Sequence, residues 1–99
     1  MAENPLELFK SLDPEFFDLV SRNRSFALKE GALPLKTKYL IALALDAVQG
    51  ATGGVKSLAL QAIEHGASKE EIIEALHVAN FICEVGSVHT AAYGLKEVL

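Results

Sequence analysis

From Tyr39 to Val48 the sequence reads Tyr-Leu-Ile-Ala-Leu-Ala-Leu-Asp-Ala-Val, and Asp46 is its one polar interruption. Pro34 ahead of this run and Gly50 behind it predict a helix from Pro34 to about Gln49. A helix that is apolar nearly all round is buried on nearly all sides. In a chain of 99 residues, four or five short helices cannot easily surround such an element alone. We therefore expect neighbouring subunits to help bury it, and the chain to form an obligate homo-oligomer.

The rest of the chain is also punctuated for helices. It lacks period-2 alternation and has no Asn-Gly or Asp-Gly hairpin turn. A short leading helix is expected from Pro5 to Leu12. Asp13-Pro14-Glu15 supplies an N-cap, a proline at the first helical position and an early acid. That helix should run to about Lys29 and stop near Gly31. Thr52 is expected to cap a third main helix ending at His65-Gly66. Ser68-Lys69-Glu70-Glu71 is a capping box for a fourth, running to about Glu84, with Gly86 and Ser87 separating it from a fifth. On the fourth helix Glu70, Glu74, His77, Asn80 and Glu84 form a polar stripe. Ile72, Leu76, Ala79 and Cys83 lie opposite and read as core. Val88, Ala91, Ala92, Leu95, Val98 and Leu99 form one apolar stripe near the C-terminus.

Composition narrows the function classes. The net charge is −4, from nine basic and thirteen acidic residues, with no basic cluster, which argues against a nucleic-acid surface. Met1-Ala2-Glu3-Asn4-Pro5 carries acid where a signal peptide needs base before an apolar run. Tyr39 to Leu45, the longest apolar run, is too short to span a bilayer. The single cysteine, Cys83, permits no internal disulfide and fits a reducing compartment. A cytoplasmic protein with no membrane partner is the expectation.

Two stretches carry a family resemblance: Leu35-Lys36-Thr37-Lys38-Tyr39-Leu40-Ile41-Ala42-Leu43-Ala44, and the segment from Ala59 through Gln61, His65-Gly66-Ala67 and the capping box to Leu76. With the smaller match at Asp13-Pro14-Glu15, the chain from Pro34 to Leu99 resembles the carboxymuconolactone decarboxylase-like, or alkylhydroperoxidase D-like, superfamily. The resemblance implies an all-α fold, a compact bundle of five or six short helices forming one domain over residues 1–99, assembled as trimers or hexamers. Redox members of that superfamily use a glutamate, two cysteines and a histidine as a proton relay. By resemblance these would fall at positions 39, 51, 54 and 58, where this sequence has Tyr39, Ala51, Gly54 and Leu58. The chemistry needs a thiolate nucleophile, a resolving thiol and a base, and none of the four supplies them. Hydroperoxide reduction by that mechanism is close to excluded. The lactone decarboxylase branch tends to keep a histidine where Leu58 stands, which puts that activity in doubt too. On a helix, positions 51, 54 and 58 share a face with Val55 and Ala62, so the former catalytic stripe reads as apolar core.

The remaining candidates are few. Gly53 and Gly54 serve either a tight interhelix turn and close helix approach, or a helix start whose free N–H groups hold a carboxylate or phosphate, with Lys56 assisting. With Ala51 and Leu58 they would outline a remnant pocket. Tyr39 is either a core tyrosine or a hydroxyl offered to a ligand. Asp46, as an acid in an apolar stretch, needs a partner, and anchors a helix end or a subunit contact more readily than it catalyses. Cys83 reads as a small core residue. His65 ends a helix where a cation suits the dipole, and His77 lies on the polar stripe. His89, Tyr93 and Lys96 share one face. No spacing forms a metal site, and no cofactor is implied. The favoured function is a non-peroxidase oligomer of the superfamily that holds a small ligand. The alternative is a non-redox enzyme acting on a lactone or small carboxylated substrate, with Tyr39, Asp46 and His89 as its polar groups. An alkylhydroperoxidase ranks last.

Overall fold

A computed structural model of the chain describes residues 5–99, so Met1–Asn4, read above for their lack of a signal pattern, lie outside the described residues. Among the described residues the structure is helix and turn, with no strand. The chain divides into two compact units, Met1–Gly31 and Ala32–Leu99.

The first unit opens with a 3-10 turn, Pro5–Glu7, that runs into α1, Leu8–Leu12. α2 follows over Pro14–Ala27. Its start is set locally. The Asp13 carboxylate accepts the Phe16 N–H at 3.1 Å, and Pro14 occupies the first helical position, where its missing N–H costs nothing. The Phe9 and Phe16 rings meet edge to face at 5.3 Å and join α1 to α2.

The second unit is built on a helical hairpin. α3, Leu35–Val48, turns at Gly50 into the antiparallel α4, Thr52–Glu64. A second turn at Gly66 leads into α5, Lys69–Leu95. Both turns require glycine, because their backbones have φ of +75° and +96°. α5 begins with the predicted capping box: Ser68 Oγ accepts the Glu71 N–H at 3.0 Å, and the Glu71 carboxylate accepts the Ser68 N–H at 2.8 Å. The same carboxylate pairs with Lys36 Nζ at 2.9 Å, tying the start of α5 to the start of α3. At the other end of α3, Val48 and Cys83 line one groove. The two helices therefore run side by side in the same direction.

Buried apolar side chains are Tyr39 and Leu43 of α3, Ala62 of α4 and Ala67 in the second turn. On α4 the stripe of Ala51, Gly54, Val55, Leu58 and Ala62 is half-buried to buried, whereas Thr52, Gly53, Lys56 and Ser57 are exposed. This core is small for the amount of apolar sequence. Ile41, Leu45 and Val48 of the apolar helix α3 remain about half exposed.

Three expectations are corrected. Gly86 and Ser87 do not break α5, which is one helix of 27 residues. A glycine inside a helix costs only about 1 kcal/mol relative to alanine. Ser87 keeps its hydroxyl satisfied by donating to the Glu84 carbonyl at 2.9 Å. Thr52 does not cap α4 but is its first residue. The N-cap is Ala51, which has no side-chain acceptor. Cys83 is exposed rather than core, because the groove it lines between α3 and α5 is open to solvent.

Candidate functional site

The turn out of α3 forms a paired hydrogen-bond motif. Gly50 N–H donates to the Ala47 carbonyl at 3.2 Å, and Ala51 N–H to the Asp46 carbonyl at 2.9 Å. This closes the chain tightly enough to bring the Asp46 side chain against the first turn of α4. A Cβ added to Gly54 would lie 2.9 Å from the Asp46 Cγ, and nearer still to its Oδ2. The half-buried Asp46 carboxylate thus fills the space that any side chain at position 54 would need. Its charge suits the positive end of α4, which has no other capping side chain. A Cβ on Gly53 would meet open space. Of the two glycines, only Gly54 lies where an added Cβ would make a neighbouring side chain, that of Asp46, move.

Tyr39 occupies the opposite end of the hairpin. It is buried, and its ring lies 5.1 Å from the His65 imidazole at a 37° tilt. His65 Nδ1 is 2.8 Å from the Gln61 carbonyl oxygen. A carbonyl can only accept, so Nδ1 carries the hydrogen. The pairing of Tyr39 with His65 escaped the sequence reading, although their near-symmetric spacing about Thr52 was an available signal for an antiparallel hairpin.

Tyr39 and Asp46 share a face of α3, but seven residues separate them by about 10 Å along the axis. His89 lies farther off. The Lys36–Glu71 pair sets Tyr39 level with roughly the second turn of α5, and His89 is about fifteen residues beyond, some 22 Å along the helix. His89 is exposed, as are Tyr93 and Lys96. The three polar candidates therefore stand at separate places. Lys56 is exposed on α4, and His77 is exposed beside Glu70 and Glu74. Among the described residues, no group of three His, Cys, Asp or Glu side chains is placed to hold a metal ion, and no helix is long and apolar enough to cross a membrane.

Glu71 is more acidic than an ordinary glutamate. The Ser68 backbone N–H, and then the Lys36 ammonium, hold its carboxyl below the ordinary value of 4.5. Both partners belong to helix starts, so the shift reports architecture rather than a reacting group. A groove of about 490 Å³ lies elsewhere in this unit, between α3 and the first half of α5. Thr37 and Cys83 supply its only polar side-chain atoms.

The hairpin can therefore present a carboxylate at one end, a tyrosine–imidazole pair at the other, and aliphatic surface between. No curated protein and no solved structure matches the chain at a significant level. The pattern of the carboxymuconolactone decarboxylase family matches residues 14–97. That span takes in α2, the hairpin with its two glycine turns, the capping box and α5, and the chain belongs to the carboxymuconolactone decarboxylase family.

Proposed function

We propose that this family member works without the redox relay, as a homo-oligomer, trimeric or hexameric, that does not reduce peroxides and holds a small ligand. One observation carries the reading. At position 54, where the resemblance expects a thiol, a glycine faces the Asp46 carboxylate, and that carboxylate occupies the thiol's space. Ala51 and Leu58 supply neither the partner thiol nor the base. Cys83, the chain's one thiol, lines a different surface, the groove between α3 and α5. One thiol per chain also cannot complete an intramolecular dithiol cycle.

The test is turnover of an alkyl hydroperoxide with a dithiol reductant, beside native mass spectra of the purified protein. No turnover above the buffer rate is expected, and Cys83→Ser should change nothing. The mass spectra should show a multiple of the subunit mass together with a retained small molecule. Peroxide consumption abolished by Cys83→Ser would overturn the reading.

A further inference from the structure

Two apolar surfaces of the second unit lack cover, and they belong to the same chain. One is the groove between α3 and the first half of α5, whose rim includes Ile41, Leu45, Val78 and Ile82, all about half exposed. The other is the stripe on the C-terminal part of the chain, where Val88, Leu95, Val98 and Leu99 are 61%, 50%, 77% and 95% exposed. Because α5 is one unbroken helix, its second half cannot fold back into a groove walled by its first half. Within one chain the two surfaces never meet.

Size and chemistry match them to each other. The α3 wall from Thr37 to Val48 spans eleven helical steps, roughly 16 Å, and the stripe runs seven helical steps from Val88 to Leu95 and on into the turn that carries Val98 and Leu99. With only a hydroxyl and a thiol on its walls, the groove has little to orient a small ligand, which binding sites need. The four aliphatic side chains named on each surface leave on the order of 400 Å² in water, so a copy that both gives a stripe and receives one covers about 800 Å², as much as a stable interface takes from each partner.

We infer that the groove between α3 and the first half of α5 is filled by the second half of α5 from another copy of this chain. Each copy then gives one stripe and receives one. Cys83 becomes covered on assembly, because it lines the groove. The inference rests on the oligomeric reading above and assigns its contact surface.

The full-length protein carries the test, read by light scattering after size exclusion and by the rate at which Cys83 reacts with a maleimide. Wild type should be an oligomer whose Cys83 reacts slowly. Leu95→Glu on the stripe and, separately, Val78→Glu in the groove should each give smaller species, with helix content preserved in circular dichroism and thiol reaction at least tenfold faster. Mixing the two variants should rebuild a heteromer, since each keeps the surface the other has lost. An oligomer indifferent to both substitutions would overturn this contact and leave the oligomeric reading standing. A monomer would overturn both.

Discussion

The turns at the two ends of α4 share one backbone plan and differ in what fills them. At each, a glycine with positive φ donates its N–H three residues back, and the following alanine donates five back. At Gly66 the residues joined by the longer bond are Ala62 and Ala67, both buried, so the turn is sealed by methyl groups. At Gly50 the corresponding residues are Asp46 and Ala51, both half-buried, and the aspartate side chain reaches across to Gly54. Backbone hydrogen bonding fixes the path of the chain equally well in both places. Whether the turn becomes packing or a polar site depends on one residue three positions before the helix cap.

The largest effect that could break this comparison is steric. Ala62→Leu should cost about 3 kcal/mol in denaturant unfolding, because Ala62 is fully buried and overpacking a closed core forces its neighbours apart. Ala51→Leu at the other turn should cost less than about 1 kcal/mol, with room to rotate outward. Equal costs would erase the distinction. Next comes the contact itself. Gly54→Ala should destabilise by about 1–2 kcal/mol, yet in an Asp46→Ala background the same change should stabilise by up to about 1 kcal/mol, since alanine is the better helix former. Strict additivity in that cycle would mean the carboxylate does not rest on Gly54. Gly50→Ala and Gly66→Ala should each cost about 1 kcal/mol and resemble one another, because an L side chain is strained at positive φ whatever surrounds it.

The smallest effect concerns acid, and belongs beside the Gly66 turn. Glu71 titrates below its ordinary 4.5 in the folded chain. A lowered folded value means that its stabilisation is fully present above the unfolded value and is lost as pH falls through the folded one. The melting temperature of wild type should therefore exceed that of Glu71→Gln at pH 7, with the gap closing below about pH 4. A gap of constant size from pH 7 to pH 3 would exclude the charge as its source.

Much of the architecture was legible because its signals are local. Ser68 and Glu71 declare a helix start by three-residue spacing, and Gly50 and Gly66 declare helix ends by the conformation that only glycine adopts cheaply. Tyr39 as a buried ring follows from its place in an apolar run. The misreadings have physical causes too. Gly86 looked like punctuation, but its cost is small beside the hydrogen bonds that continue the helix. Cys83 lies on the face opposite the polar stripe, as periodicity requires, yet periodicity names a face and not what covers it. Asp46 on Gly54 is a contact across a turn, where no fixed spacing announces it, and Tyr39 on His65 shows only once α3 and α4 are paired as a hairpin. The four residues at the relay positions were legible from the resemblance. That Asp46 stands in the way was not.

The Asp46–Gly54 contact also bears on what position 54 could become. A cysteine placed at position 54 would have to displace the Asp46 carboxylate, and while that anion stayed near it would oppose the thiol's ionisation. Replacing Asp46 to make that room would remove the charge facing the start of α4. The glycine and the aspartate are thus a coupled pair, and a thiolate at position 54 asks for a change at position 46 as well.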